Sequence, residues 1–546
     1  MRISISLLAL PLWIVAAAAQ GRGPEAIKGL GTIAFPTSAR SSAVQTDFVR
    51  GVLLLHLFEY DEAAAAFRDA ERLEPDFAMA YWGEAMTYTH PVWGEHDTAA
   101  ARAALGKLAP TASAREARAA TARERGFLQA ADILYGAGST GHRDTLYSQA
   151  MADLRRAYPR DDEVALFYAL SLLGLSEGVR DVPAYLRAGA IAESVFVRNP
   201  QHPGAAHYWI HSMDDPDHAA AALVPARALA RIAPDADHAQ HMTSHIFMAL
   251  GMWDDVVAAN ENAMRVVNAE GSLRGRPPYY CGHYNAWLDY AYLQQGRLTV
   301  ARELMDHCRD QARVAKRSQV SDLDPDDTRL GSFVGMWTRY VLDTRDWTGD
   351  VAGEVLDSGA GPATRLRYDF TRAFVAAKRN DIAATQAAAG AYDRDARGLA
   401  VSDSGSTDPQ TVEFDRRTRV LALELRALIA SLRSDQDSEL VLLVRAAAGE
   451  DSLAYAFGPP FVDAPSHELL GETLLGLHRY RDAVREFTVA LRRTPRRTAA
   501  LLGLARAQAG AGDVSAAART HAILAAIWHR ADPAVDSIAG IKAGKR

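Results

Sequence analysis

The chain has 546 residues, 49% of them hydrophobic and 23% charged, with a formal net charge of −7. That length calls for several domains or one extended repeat array, and the composition excludes a disordered or collagen-like chain. Mild acidity without long like-charge runs leaves no electrostatic footprint for nucleic acid or an anionic membrane surface, so neither is expected as a partner.

The first residues, MRISISLLALPLWIVAAAAQG, set Arg2 ahead of an apolar stretch that ends in Ala17, Ala18 and Ala19. This is the pattern of a secretory signal peptide over 1–19. The competing reading is an uncleaved anchor, for which the apolar run is slightly short. Nothing further along the chain is expected to cross a membrane.

Repeats are expected from about residue 40. Gly51, Ala63, Phe67, Ala70 and Pro75 are spaced as in two antiparallel helices. Small residues let the helices approach, the phenylalanine fills the gap between them, and the proline stops the second helix. The spacing resembles the tetratricopeptide (TPR) consensus and implies an all-α, TPR-like solenoid of helical hairpins around a concave groove. His56 and His90 stand one repeat period apart, which places both late in consecutive first helices. Trp82, Met86 and His90 share one helical stripe with Glu84 close by, so the groove is expected to present imidazole, indole and thioether here. Residues 111–160 read as helical, with a loop at Gly136, Gly138 and Gly141.

The centre carries the chemistry. Pro200 and Pro234 are separated by the same single period, and each closes an amphipathic helix. His207 and His211 are four apart, as are His241 and His245, and the pairs are offset by 241 − 207 = 34 and 245 − 211 = 34. The same two places are thus filled in adjacent repeats. Residues four apart on a helix have roots about 6 Å apart, and neighbouring helices pack at about 8–10 Å. Four imidazoles can therefore converge on one ion. By resemblance to tetratricopeptide proteins, first helices line the groove and these positions point into it. His238 lies on the same stripe, and His283 opens the first helix of the following hairpin.

All-imidazole ligation suits zinc, copper or iron. The alternative is that the histidines bridge adjacent helices through Asp214, Asp215 or Ser244 without an ion. Tyr208 and Trp209 follow His207, so there is no HExxH, and neither a GxSxG elbow nor a phosphate loop occurs. Catalytic residues are left unassigned; Asp214, Asp217 or Glu84 would serve as a base only beside a metal with an open position.

Gly296 and Ala301 continue the solenoid to 317. Cys281 and Cys308 are brought side by side if they flank an antiparallel hairpin. They are then either a disulfide, which an oxidising compartment permits, or two buried thiols. Residues 318–450 read as an irregular helical region broken by DSGAGPAT and VSDSGSTDP. C-terminal hairpins follow over 451–535. In AFGPPFVDAPSHELLGE, Pro459, Pro460 and Pro465 enforce an extended segment that either plugs the groove's end or sets the angle of the last hairpins. Leu470, Gly471, Ala483, Phe487, Ala490 and Pro495 then repeat the N-terminal pattern. No alternating apolar pattern argues for a sheet.

YWGEAMTYTHPVWGE, HYWIH, HMTSHIF, YLQQGR and the GPP-to-LLGE stretch together resemble a family of long, exported bacterial tetratricopeptide proteins. The resemblance implies the fold and a periplasmic or secreted location, and no catalytic residues. Two function classes follow. One is a binding module whose groove takes a peptide, protein or small ligand and carries a histidine metal site. The other is a metal-dependent enzyme, redox or hydrolytic, built on the central histidines.

Overall fold

The computed structural model describes residues 25–314, 328–356 and 359–535. The signal peptide expected over 1–19 lies outside them, as does part of the stretch 318–450. The described residues form twenty-four α-helices and two two-stranded antiparallel sheets. The sheets, Glu25–Ile27 with Gly31–Ile33 and Thr89–His90 with Glu95–His96, were not expected. Their strands are two or three residues long, too short for any alternation to register.

Successive helices pack as hairpins, and the first shows why. Phe67, on helix Tyr60–Leu73, is fully buried. A Cβ on Gly51 or Gly83 would lie 2.6 or 2.3 Å from its ring. The two glycines belong to successive hairpins, so one phenylalanine locks its own hairpin to the next. Phe487 does the same between Gly471 and Gly503, where added carbons would fall at 2.9 and 2.3 Å. The interval from Gly471 to Gly503 equals that from Gly51 to Gly83. Glycine is required here for close approach, since any side chain would displace the ring.

The stretch expected to be irregular contains the hairpins Pro362–Lys378 with Ile382–Ser402 and Pro409–Leu432 with Gln436–Asp451. VSDSGSTDP supplies the end of one helix and the start of another: Asp408 accepts from the Thr411 backbone N–H at 2.8 Å, capping the helix that Pro409 begins.

The solenoid curls until its ends meet its middle. Arg497, 3% exposed, donates to Asp343 at 2.6 Å and to the Tyr290 hydroxyl at 3.2 Å. Trp253 Nε1 donates to the Arg496 carbonyl at 3.0 Å, and Trp528 Nε1 to the Gln294 carbonyl at 3.1 Å. The last hairpins thereby close on helix His283–Gln294, and the expected concave groove becomes an enclosed interior. Cys281 and Cys308 are disulfide-bonded, tying the segment before that helix to helix Leu298–Val314.

Candidate metal centre

Three helices bring six histidines together. His207 and His211 sit on Pro203–Met213, His238, His241 and His245 on Asp237–Ala249, and His283 begins His283–Gln294. Pro203 starts the first of these helices, with its missing N–H where none is needed. The five on the first two helices are at most 9% exposed, and His283 is half-buried. They do not point into an open groove.

The grouping also differs from that expected. Nitrogens of His207, His211 and His238 all lie within 4.8 Å of one another, and so do those of His241, His245 and His283. Among the described residues these are two all-histidine sets of three in place of one set of four; His211 and His245 also form a set with Asp214, and His56 and His202 one with Glu163. The sets adjoin, with ring centroids 5.3 Å apart for His211 and His245 and 6.1 Å for His238 and His241.

Hydrogen bonds fix which nitrogen faces the centre. His207 Nδ1 donates to the His56 carbonyl at 2.7 Å, so its Nε2 carries the lone pair. His241 Nδ1 meets Asn260 Oδ1 at 2.7 Å. Asn260 uses its own N–H on the Val256 carbonyl at 2.9 Å, so the oxygen accepts and His241 Nε2 is left as a lone pair. His245 Nδ1 donates to Asp214 Oδ2 at 2.9 Å. The Nε2 atoms of His207, His238 and His241 and both nitrogens of His211 are buried without a hydrogen-bond partner among the described residues. Imidazoles turned by their outer nitrogen, with the inner one unused, are what a metal centre requires.

Electrostatics keeps those lone pairs available. Burial, reinforced by neighbouring imidazoles, holds His207, His238 and His241 well below the usual histidine pKa. Burial pushes His245 down to about 4 against the pull of Asp214. Burial would raise Asp214, but Arg180, 2.5 Å away, and the two histidines outweigh it and keep the carboxylate ionised. Arg180 also reaches Asp215 at 2.6 Å. Aromatic rings close the shell. Phe58 lies 4.3 Å from the His207 ring, Phe457 4.8 Å from His245, Trp287 4.5 Å from His245 and Tyr284 4.6 Å from His241. Phe58 holds φ at 60°, a left-handed conformation that is costly for an aromatic residue and that carries its ring over three histidines.

The remaining expected groove residues lie elsewhere. His56 is fully buried behind the centre: its Nε2 donates to Glu163 at 2.8 Å and its Nδ1 accepts from Tyr208. Glu163 also bonds His202 at 3.0 Å. Burial alone would raise its carboxyl, but the two histidines bring it to about 2. Trp82 packs among Phe35, Phe127 and Phe167, and Met86 is buried beside it on a helix with no exposed face. Glu84 accepts from Arg68 and Lys107, an ion-pair role that leaves no free base. His90 lies on a strand, because its helix ends at Met86, and stacks on Tyr60 at 4.0 Å. Asp217 is exposed, and Asp214 stands behind the histidines. Sequence reasoning missed Asn260, Phe58 and Tyr284; only Phe457, in the proline-rich segment, carried a signal. A cavity of about 540 Å³ lined by Trp253, Asp254 and Arg496 includes none of the histidines.

No family model matches the chain, and no curated protein does. Among solved structures, the human IFIT1 dimer with m7Gppp-AAAA is similar at 12% identity and a TM-score of 0.33, covering 90% of this chain and 91% of that one. Yeast Tom70 is similar at 12% and 0.22, covering 92% and 89%. The P58(IPK) TPR domain is similar at 11% and 0.20, covering 86% and 98%. Likeness at this level carries nothing about ligands. The TPR-like fold stands on the hairpins, the phenylalanine clamps and the one-period histidine register themselves.

Proposed function

We propose that this is an exported metalloprotein whose enclosed chamber holds a transition metal on His207, His211, His238, His241, His245 and His283. The observation that carries this is the set of buried Nε2 atoms without partners, each on a ring already oriented by its Nδ1 or its neighbours. A buried unsatisfied polar group costs about 1–3 kcal/mol, and several in one place are tolerated where a ligand satisfies them. Zinc, copper and iron all suit imidazole donors. The TPR-like fold also suits a peptide or protein partner, which would meet the outer surface or the half-buried edge at Trp93 and Tyr284, since the histidine face is enclosed. The disulfide and the leader-like residues 1–19 support a periplasmic or secreted location.

Metal content by mass spectrometry on tag-free protein tests this, beside a His207→Ala/His241→Ala double variant. Near-stoichiometric metal that vanishes in the variant is expected. Protein that stays metal-free after incubation with zinc, copper and iron would overturn the reading.

A further inference from the structure

We propose that the chamber is a dinuclear copper centre that binds dioxygen between its two ions, an inference that rests on the metal reading above. Geometry supplies the first step. Each group of three has its nitrogens within 4.8 Å, the span of one coordination sphere, and the two groups touch through His211 and His245. One ion per group gives two adjacent centres, each with three protein donors and one side left for the other, the arrangement in which two metals share a bridging ligand about 3.5–4 Å across.

Charge supplies the second step. All six donors are neutral imidazoles; one carboxylate, Asp214, forms a further set with His211 and His245, one residue from each group. It is committed to His245 Nδ1 and to Arg180, and lies 3.5 Å from His211 Nδ1. Two divalent ions would place four positive charges in a buried chamber whose one carboxylate within reach among the described residues, Asp214, is already neutralised by Arg180, and desolvation opposes this. Two copper(I) ions carry half that charge, and imidazole is a donor that suits copper. With Asp214 held by Arg180 and His245, the described residues offer no free carboxylate as a bridge, and the bridge comes from the ligand.

Dioxygen meets that requirement. Each copper(I) gives one electron, and the two electrons reduce O₂ to a peroxide dianion that bonds both copper(II) ions; no proton, further reductant or leaving group is involved. The charge inside the chamber is unchanged, two positive before and four less two after. A low-dielectric interior thus incurs no net charging cost on binding or release. The aromatic shell of Phe58, Phe457 and Trp287 excludes the water that would hydrolyse such a bridge.

The test loads tag-free protein anaerobically with copper(I), removes the excess, counts copper and then admits oxygen. Two coppers per chain are expected. Oxygen should bring a new near-ultraviolet absorption, reversed on degassing, and the oxidised protein should give no copper(II) paramagnetic resonance, because bridged spins cancel. His238→Ala and His283→Ala, one from each group, should each fall to one copper and lose the oxygen band. The wild-type counts and spectra decide even if those variants fail to fold. One copper per chain, two coppers with full paramagnetic signals, or two coppers inert to oxygen would overturn the dinuclear dioxygen proposal and leave a metal site. Uptake of no copper would overturn the copper proposal, and failure to take up zinc or iron as well would overturn the metal reading itself.

Discussion

Asn260 never reaches the chamber, yet it decides which nitrogen His241 presents, because its oxygen takes the Nδ1 proton. Replacing it with leucine leaves that proton without an acceptor and lets the ring rotate or change tautomer. Loss of such an outer partner costs about 10–100-fold in metal affinity. Asn260→Leu is expected to show that loss in competition with a chromophoric chelator, and Asn260→Asp to keep most of the affinity. Asp369 is a residue of another kind. It is 8% exposed, and burial, only partly offset by Arg372, raises its carboxyl to about 6. A carboxyl raised on folding binds its proton more tightly in the folded state. Its contribution is therefore fully present below about pH 4 and is lost as pH rises through about 6. Asp369→Asn removes that dependence. The variant should match the wild type in urea unfolding at pH 4 and exceed it at pH 7.5 by about 1–3 kcal/mol.

At the scale of the element, the clamps were half legible. Gly51 with Phe67 and Gly471 with Phe487 follow from the consensus, because each pair lies within one hairpin. Gly83 and Gly503, which complete each clamp, belong to the next hairpin, and a motif read one hairpin at a time does not reach them. Phe67→Ala or Phe487→Ala should cost about 3–5 kcal/mol by thermal or denaturant unfolding, because the vacated space lies between rigid helices. Gly503→Ala should cost about 1–3 kcal/mol by crowding the same ring from the other side. The histidine register was legible for a similar reason: it repeats along one kind of helix. What it could not give was the regrouping. His238 joins His207 and His211, and His283 joins His241 and His245, only once the stagger between neighbouring helices is known.

Enclosure is a property of the whole molecule, and it was the least legible. It depends on contacts between residues far apart in the chain, such as Arg497 with Asp343 and Tyr290, and no local pattern encodes these. Arg497 is the latch: it is 3% exposed and also donates to Glu468 at 2.8 Å. Burial lifts Glu468 to about 7 even with the guanidinium beside it. Arg497→Met keeps much of the bulk and removes the charge, leaving the buried Glu468 and the part-buried Asp343 without their cation. Breaking such a pair from one side costs about 3–5 kcal/mol. Glu468 can recover part of that by taking a proton, so the loss should be larger at pH 8 than at pH 6. The C-terminal hairpins should then part first. Trp253 and Trp528, which hydrogen-bond across that contact, should change fluorescence at lower urea than helix circular dichroism does. A chelator should also strip bound metal several times faster from the variant. Coincident fluorescence and helix transitions with unchanged stripping would mean that the chamber is held shut by other contacts.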